Sequence, residues 1–286
     1  ITNEKPVGKK DFFYKGKPRT FDVYEIPLKF LLFNPENGRI ASLNKEYEQI
    51  NGQSLNSLPE KERTDIIASW LYQKNKDRND KTYEDIKIKG QMEPGVVTID
   101  GLIVDGNRRF MTLRRIQKED GVDKYYKAVI LNHSYEDSDY VLDIKKLETS
   151  IQMGADDKLG FDPIEKYLKV KDFRENFKNQ ISDKEIAIDM GLKDESEVIQ
   201  LHDIAKLMER YLKFCHMPNM YTVISKQEDL FINLDKVYKL YEKGKGKVTW
   251  TPEPDDLNDF LNVAFYTIRY IYNKKNSFDD TTVKKV

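Results

Sequence analysis

One stretch decides the fold class: residues 90–109, which read GQMEPGVVTIDGLIVDGNRR. Residues 96–99 are all β-branched and predict a strand. Asp100-Gly101 is a strong signal for a two-residue hairpin turn, and residues 102–104 predict the return strand. The stretch therefore predicts a β-hairpin that ends at residues 105–107.

The segments on both sides of this hairpin extend it to an α/β module. Downstream, residues 108–118 carry apolar side chains at helical spacing and predict a helix, and residues 125–131 predict a further strand. Upstream, residues 21–27 predict a short strand, residues 59–74 a helix, and residues 75–82 a charged, exposed connector.

The rest of the chain predicts a lead-in and a helical half. Residues 1–20 are rich in Lys, Gly and Pro and predict a flexible lead-in, so the α/β module spans residues 21–135. Residues 136–286 predict an all-α domain. Its helices are expected over residues 142–153, 164–177, 183–190, 195–214, 230–242 and 256–274. The expected fold class is α+β, a small mixed-sheet domain followed by an all-α domain.

Composition limits the possible functions. The 286 residues include 48 Lys plus Arg and 49 Asp plus Glu, so any DNA contact must come from a local basic patch. No apolar run approaches the roughly 20 residues that span a membrane, and no secretory signal opens the chain. The single cysteine, Cys215, fits a reducing cytoplasm and predicts a buried small hydrophobe. The chain begins with Ile1 rather than Met, which leaves open that it is a fragment.

The junction at Asp105-Gly106-Asn107-Arg108-Arg109 has the chemistry of a phosphate site. A glycine between strand and helix lets the backbone approach a ligand. The amides that open a helix lack intrahelical partners and favour an anion, and two arginines add forked, charged donors. From these five residues alone, an ordinary turn with solvated arginines is an equally good interpretation.

The wider context resembles the ParB/sulfiredoxin superfamily. ParB-type domains carry a Gly-x-x-Gln-Pro box, a short strand pair and a Gly-x-Arg-Arg box that opens a helix; residues 90–94 and 105–109 are similar to these boxes. Residues 33–39 resemble the Asn-Pro and Arg segment that begins such domains. The resemblance covers roughly residues 22–131 and implies a ParB/sulfiredoxin-like fold.

The resemblance implies a pocket for a nucleoside triphosphate, which is CTP in chromosome-segregation ParB proteins and ATP in sulfiredoxins, and Mg²⁺ is expected to accompany it. In that pocket Gly106, Arg108 and Arg109 would hold phosphates, and Gly90 with Pro94 would shape the facing wall. The nucleotide-binding set is completed by Arg39 and Asn107. For Arg39 a solvated turn arginine is an equal alternative.

Two acidic residues leave an enzymatic hypothesis open. The sequence departs from the ParB pattern at two positions. Glu93 stands where ParB proteins usually have Gln, and Asn107 stands where Glu or His is common. Asp105 and Glu93 are therefore the candidate catalytic residues, as Mg²⁺ ligands or as a base. The alternatives are a helix-capping aspartate and a solvated loop glutamate. The phosphate box contains no cysteine, which argues against sulfiredoxin activity.

A helix-turn-helix over residues 183–208 is one interpretation of the helical half, because segregation ParB proteins place such a motif after the nucleotide domain. Residues 185–187, Gly191 and Val198 resemble its signature, although the valine follows the glycine by seven residues instead of six. Residues 193–197 are rich in acids, which suit a helix start better than DNA phosphates. Two interpretations stay open for this segment, a structural helical bundle and sequence-specific DNA binding, and the bundle is favoured.

Few other residues point to chemistry. His133, His202 and His216 show no metal-ligand spacing, so no metal site is expected. Trp70 and Trp250 are expected to be packing anchors.

Two further segments have two interpretations each. Tyr266, Tyr270 and Ile271 form a stripe that predicts either core packing or a homodimer surface. Residues 243–247 are a basic loop, either solvated or in contact with a nucleic-acid backbone.

The leading hypothesis is a cytoplasmic bacterial or phage protein that binds a nucleotide and engages DNA through its helical half, with nucleotide binding changing how the halves pack, as in ParB clamps. The rival hypothesis is a Mg²⁺-dependent NTPase, kinase or ParB-like nuclease. A third is an interaction protein with a vestigial pocket.

Overall fold

The computed structural model describes residues 5–156, 162–243 and 253–277. Its strands are β1 (Gly8–Tyr14), β2 (Lys17–Pro27), β3 (Gly95–Thr98), β4 (Ile103–Asp105) and β5 (Tyr125–Leu131). Its α-helices are α1 (Ala41–Asn51), α2 (Glu60–Lys74), α3 (Lys76–Lys89), α4 (Asn107–Asp120), α5 (Val141–Asp156), α6 (Pro163–Asn176), α7 (Asp183–Asp189), α8 (Glu195–Phe214), α9 (Glu228–Glu242) and α10 (Pro254–Ser277).

The five strands form one mixed sheet in the order β1-β2-β5-β3-β4. The β1/β2, β2/β5 and β3/β4 pairs are antiparallel, whereas β3 and β5 are parallel. Helices α1 to α3 connect β2 to β3, and α4 connects β4 to β5. The predicted class, a small mixed sheet followed by helices, is confirmed.

The β3/β4 hairpin is present, but its turn lies one residue earlier than predicted. The amide of Gly101 donates to the carbonyl of Thr98 at 3.0 Å, so Ile99 and Asp100 are the central residues. Gly101 has a φ of +86°, and a Cβ there would lie 2.1 Å from the carbonyl oxygen of Phe30. Glycine is therefore required for close packing as well as for the dihedral angle.

The prediction of a flexible lead-in over residues 1–20 is wrong for the part that the structure describes. Strand β1 and the first half of β2 form a hairpin there, with Phe12 stacked on Phe21 at 4.4 Å. Lys10, Phe12 and Tyr14 face inward at alternate positions. A strand is normally recognised by alternating apolar and polar residues. That alternation is interrupted in β1 because Lys10 takes one of the inward positions.

The prediction of a connector over residues 75–82 is also wrong, since this segment begins α3. The buried residues of α3 are Asn79, Tyr83 and Ile86, which recur at helical spacing. Only two of the three are apolar, so the helical pattern was too weak to identify from hydrophobicity.

The sheet is buried on both faces. Val97 and Ile103 face a core formed with α2, α3 and α4, whereas Val96 and Val104 face a second core that Ile144 and Leu147 of α5 complete. Alternate strand residues point to opposite faces, which explains the division. Helix α5, assigned by the sequence to the helical half, thus packs on the sheet.

The helical half surrounds α8, whose bounds match the prediction. Helix α8 packs against α6, α7 and α9 and buries nine side chains, including those of Val198, Leu201 and Ile204. Cys215 is buried, as predicted. Among the described residues, no helix combines the length and apolarity needed to cross a membrane.

The outer face of α10 does not belong to the core. Tyr266 and Tyr270 are 63% and 66% exposed, which excludes core packing for both side chains and leaves the dimer alternative as a prediction. Trp70 packs edge-on against Tyr47 at 5.9 Å. Trp250, predicted to be a packing anchor, and residues 244–247 of the basic loop, predicted to be either solvated or in contact with a nucleic-acid backbone, lie outside the described residues.

Candidate functional site

The predicted phosphate loop lies where β4 passes into α4. Asp105 ends the strand, Gly106 has a left-handed φ of +99°, and α4 begins at Asn107. A cavity of about 100 Å³ opens beside this junction. It is lined by Asn37, Arg39, Leu71, Asp105, Gly106, Asn107, Arg108, Arg109, Ile151 and Gln152.

The structure brings Arg39 to Arg108 and Arg109, although about seventy positions separate them in the chain. Arg39 lies on a short 3₁₀ turn, Gly38–Ile40, where the side chain of Asn37 accepts from the Arg39 amide at 2.9 Å. The three arginines therefore come from two different segments and line one cavity beside the start of α4. This is the arrangement that an anion requires.

The packing around Gly106 leaves no room for a Cβ, which the sequence did not reveal. A Cβ at this position would lie 2.0 Å from the Tyr126 hydroxyl and 2.9 Å from Nη2 of Arg109. A Cβ on Gly95 would also lie 2.0 Å from the Tyr126 hydroxyl, which donates to the carbonyl of Asp105 at 3.0 Å. Both glycines thus make room for a buried tyrosine. Only the inward alternation of β5 could have indicated it.

Asp105 is neutralised by two cations. Its carboxylate accepts from Arg109 at 2.8 Å and lies 3.5 Å from Nζ of Lys10, which also donates to the carbonyl of Pro94 at 2.5 Å. Burial lowers the pKa of Lys10, and Asp105 partly offsets this effect. Burial would also lower the pKa of Arg109, but Asp105 and Tyr126 outweigh it and raise that pKa, so Arg109 stays charged. Asp105 therefore orients Arg109.

Asn107 fastens α4 to the loop that carries Arg39. Its Oδ1 accepts from the amide of Asn34 at 3.3 Å, and its Nδ2 donates to the carbonyl of Ile103 at 3.1 Å. The side chain is 5% exposed. Asn107 lines the cavity, but its amide already serves the backbone.

The remaining predicted residues lie elsewhere. Gly90 ends α3 with a φ of +73°, Glu93 is exposed, and Pro94 contacts Lys10 through its carbonyl. None of the three lines the cavity of Arg39 and Arg108 in the described part of the chain. The geometry therefore brings Asp105 to the site without Glu93.

Helix α5 covers the cavity through Ile151 and Gln152. The Gln152 Nε2 donates to Glu148 at 3.1 Å, whereas its Oε1 is buried without a hydrogen-bond partner among the described residues. Glu148 accepts from the amide of Gly38 at 3.2 Å and forms a buried ion pair with Lys169 at 2.9 Å. These bonds hold α5 and α6 against the Arg39 turn.

A second buried carboxylate strengthens the same contact. Glu165 of α6 accepts from the amide of Ser42 at 3.0 Å and from its hydroxyl at 2.6 Å, and it pairs with Lys74. Ser42 belongs to the first turn of α1, where free amides favour an anion. The helical half thus supplies carboxylates to the amides of the N-terminal module.

The segment for which a helix-turn-helix was predicted contains α7 and α8, which pack against each other. A capping box between Ser182 and Glu185 starts α7, and Gly191 takes a φ of +62° in the connection. Asp194 caps α8 by accepting from the amides of Ser196 and Glu197. The acids at this end serve the helix start, and Glu195 and Ser196 are the exposed residues that follow.

The described residues contain no group of three or more His, Cys, Asp or Glu side chains that could hold a metal ion. His202 contacts Arg174 at 2.7 Å and Glu175 at 3.1 Å. His133 stacks on Tyr140 at 3.5 Å.

Comparisons with known proteins show a distant likeness to a solved structure. No protein-family model matches the chain, and no curated protein matches it in sequence. Among solved structures, it is similar to the C-terminally truncated chromosome-partitioning protein ParB from Caulobacter crescentus complexed to the centromeric parS site. The TM-score is 0.37 and the identity 15%, over 75% of this chain and 92% of that chain. A likeness at this level carries no argument about function.

Proposed function

We propose that this protein binds a nucleotide through a phosphate site formed by Arg39, Arg108, Arg109 and the first amides of α4. The observation that carries the proposal is that three arginines, from two segments, line one cavity at a helix start. Helix amides and forked guanidinium donors both favour phosphate oxygens. Asp105 strengthens the site by fixing Arg109 at 2.8 Å.

The cavity volume limits how a nucleotide enters. About 100 Å³ accommodates a phosphate-sized group, whereas pockets for whole ligands usually measure roughly 300–1,000 Å³. A nucleoside triphosphate therefore has to displace Ile151 and Gln152. Nucleotide binding and the packing of α5 on the sheet are linked in this proposal.

The geometry supports binding better than Mg²⁺-dependent catalysis. Asp105 already faces two cations, and Glu93 does not line the cavity. A base or a metal ligand needs an available carboxylate, and pairing with Arg109 works against that role. Mg²⁺ would then arrive on the nucleotide's own phosphates. The enzymatic alternative predicts product formation that Asp105→Ala abolishes while binding persists.

Calorimetric titration with CTP, ATP and GTP, each with and without Mg²⁺, tests the proposal. We expect at least one nucleotide to bind, and Arg39→Ala or Arg108→Ala to weaken it by about tenfold or more, since a lost charged hydrogen bond is worth about 1.5–3 kcal/mol. The matched control is Arg114→Ala, an exposed arginine on the same helix. Equal binding by all three variants, or no binding by the wild type at millimolar concentrations, contradicts the proposal.

We assign α7 and α8 a structural role, because α8 buries nine side chains in the helical core and its exposed start is acidic. DNA binding is tested separately, by measuring affinity for duplex DNA at 50 and 200 mM salt. Phosphate contacts release counterions, so true DNA binding falls steeply across this range. Saturable binding whose affinity falls steeply with salt would show that DNA is a partner. Its contact would then lie on a surface other than the acidic start of α8.

A further inference from the structure

A buried histidine lies where three helices of the helical half meet. His202 of α8 is 7% exposed and lies against the last turn of α6. Its Nδ1 is 2.7 Å from Nη1 of Arg174, and its Nε2 is 3.1 Å from Oε1 of Glu175. The Nε of Arg174 also contacts Asp183 of α7 at 3.0 Å. Arg174 therefore connects α6 to both α7 and α8.

These contacts determine which nitrogen of His202 carries the hydrogen. An arginine side chain has N–H donors and no acceptor, so Nδ1 accepts from Arg174 with its lone pair. The other nitrogen, Nε2, then carries the hydrogen and donates to the carboxylate of Glu175. His202 is therefore neutral in this arrangement. A second proton could bind to Nδ1 only if Arg174 moved away.

The charges beside His202 favour the neutral form. Burial lowers the pKa of His202, the hydrogen bond to Glu175 raises it, and the positive charges of Arg174 and Lys206 lower it further. Glu175 is also bound to Lys171 at 2.5 Å, which offsets part of its negative charge. The pKa of His202 therefore lies below its ordinary value.

The other charged groups around α8 have partners of their own. Tyr221, on the 3₁₀ turn that packs against α8, stays neutral because burial raises its pKa to about 12. Among the described residues, Arg174 and Glu175 are thus the charged groups in contact with the imidazole. The remaining pairs across α8 are Lys166 of α6 with Glu197, Lys171 of α6 with Glu209, and Lys239 of α9 with Asp203 and Asp235.

We infer that the contact of His202 with Arg174 is a pH-sensitive switch, which loosens α7 and α8 from α6 under mildly acidic conditions. Protonation of Nδ1 removes the acceptor that Arg174 uses and places two positive charges side by side. Arg174 then leaves the imidazole, and its link to Asp183 moves with it. The inference does not rest on the nucleotide site, because that cavity is lined by other residues.

The direction of the pH effect follows from the lowered pKa. A histidine in an unfolded chain titrates at about pH 6.5. Between that pH and the lower pKa of folded His202, the unfolded chain binds more protons, so the folded state loses stability as the pH falls. The stabilising effect of the contact is complete above about pH 6.5 and is lost as the pH falls through the folded pKa.

NMR of the imidazole nitrogens tests the protonation state on the full chain. Long-range ¹H–¹⁵N spectra report the tautomer and the pKa of each histidine, and His202→Gln identifies the signals of His202. We expect His202 to carry its hydrogen on Nε2 at pH 7.5 and to titrate below His216, which is exposed. Arg174→Gln removes a like charge and should raise the pKa of His202 by about one pH unit or more. The matched control is Arg210→Gln, an exposed arginine further along α8, which should leave that pKa unchanged.

Thermal unfolding at pH 7.5 and pH 5.5 tests the switch itself. Between these values the Tm of the wild type should fall by about 3 °C more than that of His202→Gln, which cannot bind the proton. The matched control, His216→Asn, should behave like the wild type, because asparagine tolerates the φ of +58° at this position. In the wild type, the amide signals of α7 should shift with the same midpoint as His202.

Two results would overturn the inference. One is a pKa of His202 at or above that of His216 in the folded wild type. The other is an equal loss of Tm by the wild type and His202→Gln between the two pH values. If His202→Gln does not fold, the wild-type titration decides alone, and α7 amides that do not follow the midpoint of His202 refute the switch.

Discussion

Replacing Gly106 with alanine should destabilise this protein more than a change of one methyl group suggests. The new Cβ would lie 2.0 Å from the Tyr126 hydroxyl and 2.9 Å from Nη2 of Arg109, so both side chains would have to move. The φ of +99° is also unfavourable for any residue with a Cβ.

Three contributions set the size of the effect. The backbone strain costs about 1–2 kcal/mol. Overpacking in a core adds about 1–3 kcal/mol. Loss of the hydrogen bond from Tyr126 to the Asp105 carbonyl, now 3.0 Å, adds about 1 kcal/mol. We expect Gly106→Ala to lower the free energy of unfolding by about 3–5 kcal/mol, since the contributions overlap.

Gly121→Ala is the matched control. Gly121 ends the same helix with a φ of +67°, and a Cβ there would meet no atom within 4 Å. It therefore incurs only the backbone strain, about 1–2 kcal/mol. Urea unfolding followed by circular dichroism gives both values, and adding Tyr126→Phe to Gly106→Ala should recover part of the loss. Equal destabilisation by the two alanine variants would refute the crowding argument.

Three further predictions follow from the helical half. Glu148→Gln should lower the free energy of unfolding by about 3–5 kcal/mol, because it leaves Lys169 charged and buried, and adding Lys169→Met should restore much of it. Asp194→Ala should cost about 1 kcal/mol in thermal unfolding by loss of the α8 cap; no change would show that water replaces the cap. Hydrogen bonds from the Ser182 backbone and from Lys146 lower the pKa of Glu185 from 4.5 to about 2. Its stabilising effect should be complete above pH 4.5 and fade as the pH falls towards 2, which ¹³C titration of the Glu185 carboxyl checks; a midpoint near 4.5 would contradict the lowered pKa.

The sequence predicted those elements whose hydrophobic pattern is strong. Strand β5 and helix α8 have the predicted bounds, residues 125–131 and 195–214. The sequence missed β1, helix α1 and the start of α3. At β1 and α3, charged or amide side chains take inward positions. Burial of Lys10 and Asn79 depends on partners distant in sequence, and a single-chain pattern does not contain that information.

Only those residues of the candidate site that lie together in one local sequence motif could be predicted. The junction at Gly106 and its arginines could be recognised from the turn and the helix that follows. The roles of Tyr126, Lys10 and Gln152 could not, since each comes from a different strand or helix and reaches the site only through folding. Conversely, Gly90 and Glu93 are close to the site in sequence but not in its lining.

The position of α5 decides where this chain can be cut. A fragment that stops at residue 135, the boundary suggested by the change in pattern, would leave Val96, Val104 and Val129 of the sheet facing water. Truncation after residue 156 retains Ile144 and Leu147 to cover them. Attempts to express the sheet by itself should therefore include the first helix of the following half, and a shorter piece should precipitate.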